Sequence, residues 1–454
     1  MSGILQAIDS GISYLSNELW GWPLIVLLFG THLFLTFRLR FIQKYIFKAI
    51  KMSLIRTREG EGEISHFGAL TTALAATIGT GNIVGVGTAV AIGGPGAVLW
   101  MWLTGVFGIS TKYAEAVLSV KYREKNPDGS YSGGPMYVME KGLKQKWMGV
   151  IFAVFTAAAA FGIGNSVQSN SIAVMVNETF NISPYITGAI LTILTAAVIL
   201  GGIKSISRVC EALVPFMAGF YVLGCIILLV MHLDKIPGSL LLILGGAFTG
   251  TDAVAGGFLG AGIKEAIRFG VARGLFSNES GLGSAPIVAA AAQTKNPVRQ
   301  ALISSTGTFW DTVVVCAFTG LVIVNSGDWS EGVSGTILTK HAFTDLGAFG
   351  PVILTVGLLT FVFSTIIGWA YYGEKAIEFL AGKKAVLPYR FLWVVVVFLG
   401  SIQSLDTVWH FADLANGLMA IPNLITLILL SGVIVNETRK YLWENRLDES
   451  SDDE

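Results

Sequence analysis

From Trp20 to Phe37 the chain runs for eighteen residues without a Lys, Arg, Asp or Glu, enough apolar helix to cross a hydrocarbon core of roughly 30 Å. Mostly apolar runs of comparable length recur near 65–92, 97–120, 147–176, 184–203, 209–232, 262–292, 298–324, 350–380, 386–402 and 406–435. With the first they predict about eleven transmembrane helices, and so an all-α integral membrane protein. Only 13% of the 454 residues are charged, against about 25% in a soluble domain, which excludes an ordinary soluble enzyme. Lys+Arg and Asp+Glu both number 30, so no basic excess favours nucleic acid, and the surrounding partner expected is membrane lipid. The cysteines, Cys210, Cys225 and Cys316, lie in apolar stretches without metal-ligand spacing.

Lys and Arg accumulate in cytoplasmic loops. With the N-terminus outside, cytoplasmic segments hold 23 of the 30 basic residues, external loops hold only Lys235 and Lys340, and five fall within spans. This bias predicts an extracellular N-terminus and a cytoplasmic C-terminus in the cell membrane. The expected organisation is an N-terminal helix and amphipathic cytoplasmic segment (1–64), two five-helix units (65–232 and 233–436) and an acidic tail (437–454).

An offset of 196 residues places Asn82 on Asn278, Glu115 on Asp311, Gln168 and Ser169 on Ser364 and Thr365, and Ser205 on Ser401. A unit of five spans is odd-numbered, so a second copy must enter the membrane inverted. Inverted repeats with discontinuous helices are a transporter architecture. The second span carries Gly79, Gly81, Gly85 and Gly87 within nine residues, among Thr77, Thr80 and Asn82. Gly81 and Gly85 also form a GxxxG pair suited to close packing, but the polar side chains favour an unwound segment. Its counterpart GLFSNESGLGSAP, 274–286, has seven Gly, Ser or Pro in thirteen residues, with Asn278 and Glu279 beside them. Pro286 suits the first turn of a resumed helix, expected to run on through the alanines to Ala292. Two broken helices offer half-helix N-termini to a carboxylate and bare carbonyls to a hard cation.

GTGNIVGVGTAVAIGGPGA (79–97), SGGPMYV (132–138) and GLFSNESGLGSAPI (274–287) resemble signature stretches of the alanine or glycine:cation symporters. The resemblance covers nearly the whole chain. It implies one extra helix before a five-plus-five inverted repeat like that of sodium-coupled neurotransmitter and amino-acid symporters. It also implies uptake of alanine or glycine with Na⁺ as coupling ion, H⁺ serving in some relatives, and no organic cofactor. In that fold the substrate lies between the helices that correspond here to 65–92, 262–292, 147–176 and 350–380.

On this basis Thr80, Gly81 and Asn82, flanked by Thr77 and Gly79, are expected to bind the amino-acid carboxylate. Carbonyls near Phe276 and Ser277, beside Asn278, are expected to meet the ammonium. Asn165, Gln168 and Ser169 share one helix face, with Asn165 and Gln168 as candidate contacts and Gln168 the preferred one. The hydroxyls of Thr360, Ser364 and Thr365, facing carbonyls between Ala75 and Ile78, are expected to form a neutral-oxygen Na⁺ site. Bonding of those hydroxyls to their own helix is the competing reading. Phe276 and Trp369 would limit side-chain size. Lys112 and Glu115 are expected to pair locally, and Arg273 with Asp413 as a gate. Alternatives to sodium symport are proton-coupled symport and a passive channel. No HExxH motif, nucleophile elbow or Walker loop supports an enzyme or ATP-driven pump.

Overall fold

The computed structural model describes residues 2–55, 60–249, 262–331, 335–347, 349–403 and 406–449; the end of the acidic tail lies outside them. The described residues are predominantly helical. In order the main helices are α1 (Ser2–Leu19), α2 (Trp22–Arg38), α3 (His66–Thr77), α4 (Gly81–Gly93), α5 (Gly96–Lys121), α6 (Lys146–Phe180), α7 (Pro184–Ile199) and α8 (Gly202–Met231). They continue with α9 (Ile236–Phe248), α10 (Ile263–Asn278), α11 (Pro286–Ala289), α12 (Pro297–Ser326), α13 (Phe349–Ala381), α14 (Lys383–Ile402), α15 (Asp406–Leu429) and α16 (Ser431–Thr438). Among the described residues seven helices are long and apolar enough to cross a membrane, or eight when the bent pair α3 and α4 is taken as one span. The difference from eleven has identifiable sources. α5 carries Lys112 and Glu115, α10 carries four charged residues before Leu275, and α7 has only 16 residues. The apolar α9, of 13 residues, was not expected.

α3 starts where Ser65 accepts the Gly68 N–H at 2.9 Å, an N-cap that satisfies a first-turn donor. It stops at Thr77: Ile78 is extended, and α4 departs at 55°. α10 ends at Glu279, which takes the left-handed region at φ 56°, and Gly281 and Gly283 follow at φ 92° and 88°. Three left-handed residues within five cannot belong to an α-helix. Helix resumes at Pro286 as expected but lasts four residues rather than running to Ala292. Ala291 O accepts the N–H groups of Glu63 and Ile64 at 2.8 and 3.2 Å, and Gln293 N–H donates to Ile64 O at 2.8 Å. This pairing with 61–64 competes successfully with further helical turns.

Both breaks lie inside the bundle. α5 packs against α2, α9, α10 and α12, while α13 packs against α3, α6 and α8. A small hairpin, β1 (Glu124–Lys125) paired antiparallel with β2 (Tyr131–Ser132), follows α5.

Candidate functional site

The first break frees particular carbonyls. In a continuous helix Ala75 O would accept from Gly79 N–H and Ile78 O from Asn82 N–H. Here Gly79 N–H donates instead to the Asn82 side-chain oxygen at 2.9 Å, and Asn82 N–H to Gly79 O at 3.2 Å. The released oxygens turn toward α13. Ser364 Oγ donates to Ala75 O at 3.1 Å and Thr365 Oγ1 to Ile78 O at 3.3 Å. Both hydroxyls also reach Phe361 O, at 2.7 and 3.0 Å, so bonding to their own helix and to the break coexist. Two hydroxyl–carbonyl pairs thus join α13 to the first break, and neutral oxygens of this kind are the donor type that suits a hard monovalent cation. Thr360 is not among them; its hydroxyl bonds Val356 O and Gly357 O at 2.8 and 3.0 Å. Among the described residues no cluster of three or more His, Cys, Asp or Glu could hold a metal ion.

Beside these oxygens the two breaks enclose a cavity lined by Ala76, Thr77, Gly79, Thr80, Gly81, Ile163, Gln168, Phe276, Glu279, Thr365 and Trp369. It leaves about 10 Å³ for the centre of a water-sized sphere, room for about one water. The Thr80 and Gly81 N–H groups open the half-helix α4, where first-turn donors precede any intrahelical acceptor. Gln168 Nε2 donates to Ile163 O at 2.9 Å and approaches Thr80 Oγ1 at 3.4 Å, while its Oε1 is buried without a partner.

Other residues singled out from the sequence brace the breaks instead. Asn82 Nδ2 donates to Asp311 Oδ1 at 2.8 Å, which with its bond from Gly79 N–H leaves this amide engaged on both sides. Ser277 Oγ donates to Asp311 Oδ2 at 2.9 Å, and Asn278 Oδ1 accepts Ser280 N–H at 2.9 Å. Asn165 Nδ2 donates to Trp393 O on α14 at 3.0 Å and does not line the cavity. Sequence reasoning assigned no role to Glu279, although an ionisable residue inside a Gly- and Ser-rich break was itself a signal.

Asp311 accepts from Asn82, Ser277 and Thr312 and so ties both breaks to α12. Glu115, its counterpart at the 196-residue offset, does the reciprocal work. Its Oε1 accepts from Gly281 N–H, Gly283 N–H and Asn423 Nδ2 at 3.1, 3.0 and 2.7 Å. Glu115 therefore holds the unwound stretch after α10, and Asp311 holds Asn82 at the start of α4 and Ser277 at the end of α10. The expected local pair of Lys112 with Glu115 does not form: Lys112 Nζ and Glu115 Oε2 are both buried without a hydrogen-bond partner, while Glu115 Oε1 turns to the second break.

Phe276 lines the cavity and also a second pocket of about 90 Å³ that includes Trp20, Arg268, Arg273 and Asp413. It is the one described residue common to the two linings. Arg273 stands 5.7 Å from the Phe276 ring centroid, and Arg273 and Asp413 form no ion pair within 4.0 Å among the described residues. Elsewhere, Arg123 donates to the carbonyls of Ala290, Ala292 and Glu61 at 3.1, 2.8 and 2.9 Å. It thus straps the chain after the second break to the chain before the first. Lys125 and Tyr131 both bond the Glu61 carboxylate and hold its pKa below the ordinary value.

The model of the sodium:alanine symporter family matches residues 5–454. The chain is 51% identical over 441 residues to the sodium/alanine symporter AgcS of Methanococcus maripaludis, covering 95% of this chain and 96% of that one. It is 38% identical over 444 residues to the probable sodium/glutamine symporter GlnT of Bacillus subtilis, covering 96% and 91%. Among solved structures it resembles MhsT in complex with L-phenylalanine, with a TM-score of 0.54 at 16% identity, covering 85% of this chain and 95% of that chain. At that identity the likeness is one of fold.

Proposed function

This chain belongs to the sodium:alanine symporter family, and we propose that it carries alanine or glycine across the cell membrane together with Na⁺ by alternating access. The family and its relatives are sodium-coupled amino-acid transporters, not enzymes, and the chain is a multi-pass membrane protein. The finer reading rests on one observation above all: two carbonyls released by the first break are met by two α13 hydroxyls, and the break also lines a cavity through Thr80 and Gly81 at the start of a half-helix.

In this reading Na⁺ sits among Ala75 O, Ile78 O, Ser364 Oγ and Thr365 Oγ1. The substrate carboxylate meets the Thr80 and Gly81 N–H groups, with Gln168 beside it and the ion close by. Thr360 takes no part, and Asn82 shapes the break rather than holding the carboxylate. Phe276 and Trp369 are walls that would limit the side chain to a methyl group or a hydrogen once the cavity, with room here for about one water, opens to admit the amino acid. Eleven spans, one N-terminal helix followed by a five-plus-five inverted repeat, with the N-terminus outside, accommodate the basic-residue distribution and the bracing by Glu115 and Asp311.

Energetically one Na⁺ suffices. A tenfold gradient supplies about 1.4 kcal/mol and 100 mV about 2.3, together enough for a few-hundredfold accumulation of a neutral zwitterion. Proteoliposomes holding the purified protein should concentrate alanine when an inward Na⁺ gradient is imposed, and cease when it is dissipated. Alanine accumulation that persists without the Na⁺ gradient and follows a proton gradient would favour proton coupling. Equilibration without accumulation would favour a channel.

A further inference from the structure

Resting on that reading, we propose that Glu279 receives the ammonium group of the amino acid, so that the site selects zwitterions over plain carboxylates. Glu279 is the one ionisable side chain among the described residues lining the cavity. It is 4% exposed, and a buried carboxylate inside a membrane is expensive unless something cationic or hydrogen-bonding meets it.

Its present partners do not exhaust it. Trp369 Nε1 donates to Oε1 at 3.0 Å and the Ser284 hydroxyl donates to Oε2, whereas an ionised carboxylate offers about four acceptor positions. The backbone adds a second argument. Glu279 sits at the left-handed position just past the end of α10, where glycine is the usual residue and asparagine the next. A glutamate there runs against local preference, and such departures concentrate at working sites.

The cavity is consequently dipolar. Thr80 and Gly81, where a half-helix opens with its N–H donors, border it from one break and Glu279 from the other. A zwitterion satisfies both ends. Lactate or propionate satisfies only the first and leaves the carboxylate unpaired, and a site built to bond an N–H discriminates strongly against an analogue lacking it. Trp369 is then a positioning residue as well as a wall, because its indole N–H fixes one carboxylate oxygen.

The test compares binding of L-alanine and L-lactate in Na⁺ to purified parent protein and to Glu279→Gln, with thermal stabilisation by Na⁺ alone as the measure of an intact first break. The parent should prefer alanine by at least roughly 100-fold. Glu279→Gln should weaken alanine roughly 10- to 100-fold and leave lactate and the Na⁺ stabilisation unchanged. Glu279→Asp, which keeps the charge, should bind alanine more tightly than the Gln variant. Parity of alanine and lactate in the parent overturns the proposal even where neither variant folds. Equal losses for alanine and lactate in Glu279→Gln, or no loss for alanine, overturn it too. Failure of the parent to bind alanine in Na⁺ would instead remove the underlying symport reading.

Discussion

Gly79→Ala should weaken the response to Na⁺. A Cβ at this position would lie 2.7 Å from Thr365 Oγ1 and 3.6 Å from Gln168 Oε1. The second distance is ordinary contact; the first is an overlap. Gly79 is not in the left-handed region, so alanine imposes no backbone strain and the effect must pass through Thr365. To reach ordinary contact the hydroxyl must withdraw by roughly 0.7 Å. It already stands 3.3 Å from Ile78 O, and that withdrawal takes it out of hydrogen-bonding range. Loss of one of four oxygens facing a cation forfeits about 1.5–3 kcal/mol, the range for hydrogen bonds to charged groups, or roughly 10- to 100-fold in affinity. The assay is alanine uptake into proteoliposomes as a function of Na⁺. Half-saturation by Na⁺ should rise by that factor. Unaltered Na⁺ half-saturation in Gly79→Ala would refute the reasoning, whatever happened to alanine.

Thr360→Ala should leave Na⁺ half-saturation unchanged, since its hydroxyl bonds carbonyls of its own helix; a shift as large as that of Thr365→Ala would return Thr360 to the ion site. Glu115→Ala orphans three buried donors and should lower stability by about 3 kcal/mol or more, read as a fall in melting temperature, with Glu115→Gln milder because it keeps one acceptor oxygen. The Glu61 carboxyl is held below its ordinary 4.5 by bonds from Lys125 and Tyr131. Its stabilising contribution is therefore full above that ordinary value and lost as pH falls through the lowered one. The melting-temperature difference between parent and Glu61→Gln should be flat from about pH 8 to 5 and vanish in stronger acid; a difference that disappears near neutrality would show that the strap does not depend on this carboxylate.

Much of the fold could be read from hydropathy, because a helix in lipid must satisfy its own backbone and only a Gly-, Ser- and Pro-rich stretch announces an interruption. α14 begins and ends within a few residues of the expected 386–402. The α9 segment was illegible since thirteen apolar residues are too few to signal a span. Within the site, the alignment of Ser364 and Thr365 with the first break was visible, yet Thr360 was indistinguishable from them by spacing alone. One helical turn is 5.4 Å, and nothing in the sequence says which turn faces the break. Asn82 posed a different difficulty. An amide among glycines serves a ligand or the backbone equally well, and the choice is made by Asp311, 229 residues away. Lys112 and Glu115 misled for the same reason: helical spacing brings them near, but the Gly281 and Gly283 N–H groups that bond Glu115 come from the second break, 166 and 168 residues away.

A density map of the protein with Na⁺ and alanine bound is the most direct measurement. It should place the ion in bonding contact with Ala75 O, Ile78 O, Ser364 Oγ and Thr365 Oγ1, with the alanine carboxylate against the Thr80 and Gly81 N–H groups. An ion or amino acid lodged away from both interruptions, or helices running unbroken through residues 78–80 and 279–285, would contradict it.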